Sequence, residues 1–363
     1  MRRTLAGLVA ACSLASAAAG ADSAVPFKLG TFERNGRRFV GMVVKDSLVV
    51  DIASADAALE PGSNSLARLS DMKDAIARYD TGLHARFLAI VDLMVKQPRS
   101  VYVMDLASVK TLPPILYPTT MLNVAVNYRE HGREMAGRTT NPSGAPEPGS
   151  PPPGTTSIPG IWERKPDDAR WNPYMFVKLP SAVIAAGEAI RLPPGRDKID
   201  WECELGVVIG REARQVEIAR AADYIFGYTL ENDVSDRGGR GDPRHGGDWL
   251  IAKSHDTFAP LGPFVVPKEF VADPQKLAVK FTLNGQLMQD SNTSAMIHDV
   301  YELVSYASHI TTLRPGDVIA TGTPPGVGSG RTPPVFLKAG DVASCTYEGI
   351  GTLRSPVAGP EAP

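Results

Sequence analysis

Glu202 and Glu204 stand two residues apart in the run IDWECELGVVIG, residues 199–210. Ile199, Trp201, Cys203, Leu205, Val207 and Ile209 fill every second position. That alternation is the signature of a β-strand with one buried face. On such a strand the two glutamates leave the same face about 7 Å apart at Cα. Long side chains at that spacing can converge on one cation. An all-oxygen ligand set suits Mg²⁺ or Mn²⁺, with Ca²⁺ as a third choice, better than zinc. A solvated acidic strand face fits the same letters, and this stretch alone does not choose. Asp200 has no assigned role and reads as facing solvent at the start of the strand.

Four other stretches offer partners for such a site. In GYTLENDVSDRGGR (227–240), Asn232-Asp233 falls at a strand end. Asp233 is a candidate third carboxylate for the ion, and Arg237 a candidate grip on an anionic substrate; Asn-Asp and Gly-Gly also simply form turns. In DWLIAKSHDTFAPLGP (248–263), Lys253 lies in an apolar segment, which is unusual without a partner. Its ammonium would offset the carboxylates or stabilise a developing oxyanion. In NYREHGREM (127–135), His131 and Glu134 are three apart and share a face if helical. A carboxylate beside an imidazole fixes its tautomer and raises its basicity, as a water-activating base requires; an exposed helix pair is the plainer reading. In LRPGDVIATGTPPGVG (313–328), Gly322-Thr323 can offer an N–H and a hydroxyl to a carboxylate. No His-Glu-x-x-His zinc motif, phosphate-binding P-loop, Gly-x-Ser-x-Gly elbow or dinucleotide fingerprint is present.

The elements that must position these groups fall into two units. Residues 22–115 read as a small α/β N-terminal domain. Its short strands over 25–55 are broken at Asn35-Gly36 and Lys45-Asp46, and two helices cover 65–79 and 83–97. Residues 116–363 read as the catalytic domain. A strand at 121–126 leads into a turn and short helix, and a strand-rich region follows from Tyr174 with one long helical segment around 297–310. Alternation recurs at 278–283, 317–321 and 341–347. The expected class is therefore α+β, mainly β. Between the halves, about 137–172 is a Pro/Gly-rich insert, either a lid or a linker.

The chain has 363 residues, is 43% hydrophobic and 21% charged, and has a formal net charge of −2. That is an ordinary globular profile, without the basic footprint of a nucleic-acid binder. Residues 1–21 read as a signal peptide. Arg2-Arg3 precede an apolar run to about Ala19, with a cleavage site after Ala21. The expectation is export, to the periplasm in a bacterial cell. Cys12 in VAAC gives a lipoprotein alternative. No later apolar run reaches the ~18 residues of a membrane span. Cys203 and Cys345 could pair after export, but read more simply as two buried free thiols.

In this order the five stretches resemble the fumarylacetoacetate hydrolase superfamily, specifically its acylpyruvate hydrolase and hydroxymuconate isomerase-like branch. The likeness runs over about residues 123–357 and includes YMFVKLPSAV (174–183) and LNGQLMQDSNTSAMI (283–297). It implies a mixed β-roll catalytic domain, usually homodimeric, around a divalent metal. Residue by residue, it implies that Glu202, Glu204 and Asp233 are the metal carboxylates and Lys253 the lysine beside them. It also implies that His131 and Glu134 form the water-activating dyad, and that Tyr128, Arg237 and Thr323 contact substrate. The implied activity is metal-dependent hydrolysis of a C–C bond in a β-diketo acid. Isomerisation or decarboxylation of a 2-oxo or 2-hydroxymuconate-type acid is the alternative, and a non-catalytic binding protein a third reading. This chain departs from the family in three places. No Gln follows Arg237, Asp248 stands where Gln is common, and Asn127 replaces the acidic ligand of the fumarylacetoacetase branch.

Overall fold

The turn dipeptides of the N-terminal segment form two tight hairpins. Asn35 and Gly36 have φ of 52° and 75°, and Lys45 and Asp46 both have 54°. At Asn35-Gly36 this is the left-handed pair that a two-residue hairpin needs to match strand twist, and at Lys45-Asp46 the pair opens a three-residue connection that ends with Ser47. The turns join β1 (Phe27–Arg34), β2 (Arg37–Val44) and β3 (Leu48–Asp51). The structure is a computed structural model. It describes residues 25–60, 66, 69–136, 162, 163, 165, 168, 170–239 and 247–360. The signal peptide expected at 1–21 and most of the insert expected at 137–172 lie outside the described residues.

After β3 comes α1 (Ile52–Leu59), which the sequence pattern did not suggest; the Asp51 carboxylate caps it by accepting from the Ser54 amide. The helix expected over 65–79 is shorter, α2 (Met72–Arg78), because Asp71 caps it late. α3 (His84–Lys96) fills the expected 83–97 and buries Phe87, Ile90, Val91 and Met94 on one face. β4 (Val103–Asp105) and β5 (Lys110–Thr111) close this segment.

β6 (Met121–Ala125) leads into α4 (Arg129–Ala136), then β7 (Tyr174–Val177), β8 (Val183–Ile184) and β9 (Ile190–Arg191). β10 (Ile199–Asp200), β11 (Cys203–Ile209), β12 (Ile225–Asn232) and β13 (Ser235–Asp236) follow, then α5 (Trp249–Lys253) and β14 (Ala259–Pro267). The last elements are β15 (Ala278–Leu283), β16 (Gln286–Asn292), α6 (Val300–Ile310), β17 (Val318–Ala320), β18 (Val342–Tyr347) and β19 (Gly351–Ala358). α6 opens on a capping box between Asp299 and Glu302.

A large sheet has the order β4-β3-β2-β1-β14-β12-β11-β17-β6-β7, with β5 and β8 on side branches. A second sheet runs β16-β15-β18-β19-β9, and β10 pairs with β13 alone. The fold is mixed and mostly β, at 27% helix and 35% strand, as expected. Its main core lies between the two larger sheets, where Trp201 stacks on Phe281 at 5.3 Å.

Three expectations are corrected here. Residues 199–210 are not one half-exposed strand. The ladder breaks at Trp201-Glu202 and puts β10 and β11 in different sheets, and every residue from Ile199 to Ile209 is buried. Asp200 is fully buried, not solvent-facing. Cys203 and Cys345 are not free thiols but a disulfide, with Cα atoms 5.3 Å apart. Packing of β11 against β18 brings together two residues that are 142 apart in sequence.

Candidate metal centre and catalytic dyad

β11 and β12 are antiparallel neighbours, with Cys203 opposite Asn232 and Glu204 opposite Glu231. Beyond the ladder, the Asp233 amide donates to the Glu202 carbonyl at 2.8 Å, and the Glu202 amide to Asn232 Oδ1 at 3.0 Å. The chain thus stays clamped where the strands part. As a result Glu202, Glu204 and Asp233 are buried with ligand oxygens all within 4.8 Å of one another. Oxygens bound to one ion at about 2.1–2.4 Å lie no farther apart than that. The three oxygens therefore fit one hard divalent cation, and the all-carboxylate set fits Mg²⁺ or Mn²⁺.

Two buried lysines and a half-buried arginine grip this cluster. Lys253 Nζ donates to Glu202 Oε2 at 2.6 Å and to Asp233 Oδ2 at 2.5 Å. Lys178 donates to Asp233 Oδ1 and, at 3.1 Å, to the Val234 carbonyl. Arg237 donates to Glu202 Oε1 and, through Nε at 3.1 Å, to Asp200. Lys253 is delivered by the last turn of α5, which Asp248 caps, and its ammonium lies 5.1 Å from the Phe176 ring centre.

The two glutamates are shifted in opposite directions although they stand two residues apart. Burial would raise Glu202, but Lys253, Arg237 and His131 hold it well below the usual carboxylate range. Burial raises Glu204 well above that range, and Asp233 and Glu202 add to the rise. Glu204 accepts from the Gly322 amide at 2.8 Å, so the N–H offered by the Gly322-Thr323 turn goes to one of the protein's own carboxylates. Burial also pushes Glu231 up to about 7, against the pull of Lys178; Asn123 Nδ2 donates to it at 3.0 Å.

His131 and Glu134 lie on one face of α4, as their spacing predicts, with Nδ1 3.3 Å from Oε2. The Gly326 amide donates to both Glu134 oxygens, at 3.1 and 3.2 Å. Tyr128, just before α4, is fully buried; burial raises its hydroxyl, and the Tyr347 hydroxyl offsets only part of that rise. Asn127 spends its side chain on the backbone, donating to the His298 and Thr321 carbonyls and accepting from the His298 amide. Thr323 accepts from Gln289 Nε2 at 2.9 Å.

The structure therefore brings Glu202, Glu204, Asp233 and Lys253 into one cluster and pairs His131 with Glu134. Arg237 and Thr323 are bonded to protein groups. Sequence reasoning missed Lys178, Gln289 and Asp200. The first two lie inside segments that carry the family likeness, which was the available signal.

The sequence profile described as fumarylacetoacetate (FAA) hydrolase C-terminal matches residues 120–358. The chain belongs to the fumarylacetoacetate hydrolase family, whose members are enzymes acting on small molecules. It is 33% identical to the mitochondrial oxaloacetate tautomerase Fahd2a of Rattus norvegicus, over 85% of this chain and 83% of that one. It is also similar to a solved 5-carboxymethyl-2-hydroxymuconate delta-isomerase from Mycobacterium smegmatis, with 30% identity, TM-score 0.62, 92% of this chain and 100% of that one. A maleylpyruvate hydrolase from Sphingobium sp. SYK-6, solved with manganese(II) and pyruvate, matches at 26% identity and TM-score 0.65, over 92% and 100%.

Proposed function

We propose that this protein is a divalent-metal-dependent hydrolase that cleaves a carbon–carbon bond in a β-diketo acid of the acylpyruvate kind. One observation carries the reading: a His–Glu dyad with Nδ1 3.3 Å from Oε2 accompanies a buried cluster of three carboxylates whose oxygens lie within 4.8 Å of one another. Glu202, Glu204 and Asp233 would hold Mg²⁺ or Mn²⁺. When bound, the ion supplies Lewis-acid stabilisation of negative charge on the substrate's oxygens. Glu134 holds the imidazole with Nδ1–H toward itself, leaving Nε2 as the acceptor. Nε2 takes a proton from water, and the water oxygen attacks the distal carbonyl carbon. The C–C bond then breaks, its electrons pass to the 2-oxo fragment, and a proton returns to carbon. The products are a 2-oxo acid and a carboxylic acid. Lys253 offers its ammonium to the anionic oxygens. The likeness to the maleylpyruvate hydrolase supports this reading.

A second reading is favoured by the relationship to the rat tautomerase over most of both chains. In it, His131 moves a proton at carbon instead of activating water, so that an oxaloacetate-like acid is tautomerised or decarboxylated. The purified protein with Mn²⁺ is assayed against acylpyruvates and oxaloacetate in H₂¹⁸O. Hydrolysis puts ¹⁸O into the carboxylic acid product. Turnover without that label, beyond ordinary carbonyl exchange, overturns the hydrolase in favour of the second reading. Export directed by residues 1–21 and a homodimeric state belong to the same proposal; cell fractionation and light scattering test them.

A further inference from the structure

Asp200 is the one acid of the opening motif with no part in the metal cluster, yet it is fully buried and fully bonded. Its Oδ1 accepts from the Gly328 amide at 2.6 Å and the Trp201 amide at 2.9 Å. Its Oδ2 accepts from the Ser329 amide at 3.0 Å and from Arg237 Nε at 3.1 Å. The neighbouring Trp201 donates its indole N–H to the Gly326 carbonyl at 3.3 Å. Both side chains therefore seize one short loop, residues 326–330.

That loop has glycine at 326, 328 and 330 for steric reasons. A Cβ on Gly328 would lie 1.9 Å from the Val335 carbonyl oxygen and 2.7 Å from Asp200 Oδ1. A Cβ on Gly330 would lie 2.0 Å from Glu134 Oε1. Gly326, at φ 104°, gives its amide to the Glu134 carboxylate. The loop is thus pressed between the Asp200–Trp201 pair on one side and the dyad's carboxylate on the other.

We propose that Asp200 and Trp201 are positioning residues that act through the glycine loop to fix Glu134, and through Glu134 the His131 imidazole. The inference rests on the reading of His131 as the catalytic base. Neither residue touches the reacting atoms. Their effect is to keep the carboxylate where it sets the imidazole's tautomer and direction, as supporting shells do for metal ligands. Asp200 also reaches the metal side, because Arg237 bridges it to Glu202. One buried carboxylate thereby ties the base and the ion's cradle to a common frame.

The test is a double-mutant cycle. Asp200→Asn keeps the shape but turns an amide N–H toward two N–H donors. It should lower kcat about 10–100-fold with KM within about threefold. In a Glu134→Gln background the same change should lower kcat less than about twofold, because the path it uses is already cut. Equal losses in both backgrounds would overturn the proposal, since a general loosening multiplies through. Trp201→Phe removes only the indole donor and serves if Asp200→Asn does not fold. Its loss should be smaller, about fivefold in kcat, and should vanish in the same way. A second readout does not need turnover. In ¹⁵N-histidine spectra the His131 Nδ1–H, assigned by its absence in His131→Gln, should lose its hydrogen-bonded shift in Asp200→Asn or Trp201→Phe. An unchanged His131 signal overturns the clamp even if no substrate is ever found. A wild-type protein inactive on every substrate, with the signal changed in the variants, overturns the proposed function alone.

Discussion

The candidate metal cradle and the dyad are built to different standards. Glu202, Glu204 and Asp233 emerge from two central strands in register, and each accepts at least one hydrogen bond from a buried group. His131 and Glu134 stand on an eight-residue helix, with their partnership at 3.3 Å and the carboxylate steadied by one loop amide. The first region gains its geometry from the sheet, where a small shift would strain many bonds. The second gains it from a single contact chain. Ligand geometry demands the rigid frame, because a hard cation tolerates little error in oxygen placement. A base needs only to reach its proton.

Four measurements break or sharpen this contrast. His131→Ala should remove turnover by about 10²–10⁴-fold while calorimetry finds Mn²⁺ affinity within about threefold. A large loss of metal binding would mean the two regions are not separable. Lys178→Met strips a fully buried partner from Asp233. Breaking a buried pair in this way should cost about 3–5 kcal/mol in the ion-free protein, read by denaturant unfolding, with part of it restored by Mn²⁺. Cys345→Ala opens the tie between β11 and β18. It should cost about 2–4 kcal/mol and weaken Mn²⁺ binding more than it slows turnover at saturating metal. Last, Glu204 is raised and so holds a proton in the ion-free state into the range above ordinary carboxylates. Ion binding must expel that proton, so Mn²⁺ affinity should fall by up to about tenfold per unit as pH drops through that range. Calorimetry in buffers of different ionisation enthalpy would report the released proton; zero release sinks the assignment.

The three clustered carboxylates were legible because their placement is local. Glu202 and Glu204 follow from strand periodicity, and Asp233 from its place just past a strand end. The dyad was legible from helical spacing. What was not legible depends on which strands become neighbours. Lys178 reaches Asp233 across 55 residues, and Gln289 reaches Thr323 across 34. Asp200 looked solvent-facing because alternation assumes one wet face, whereas β10 leaves the large sheet and turns both faces inward. α1 escaped because IASADAAL has small side chains and little contrast between its faces. The cysteines were misread for a related reason. Each is a small buried residue on its own strand, and only the crossing of the two sheets makes them a bond.

That bond has a consequence for how the centre comes into being. Cys203 is the residue between Glu202 and Glu204, so the covalent link is anchored inside the ion's cradle. The two glutamates are then held by links of two kinds, the hydrogen bonds of the sheet around β11 and one bond that needs the oxidation of two thiols. A chain with both thiols reduced would keep the hydrogen bonds of β11 to β12 and β17 but lose its covalent tie to β18. The covalent share of that clamp would form only where an oxidant is available.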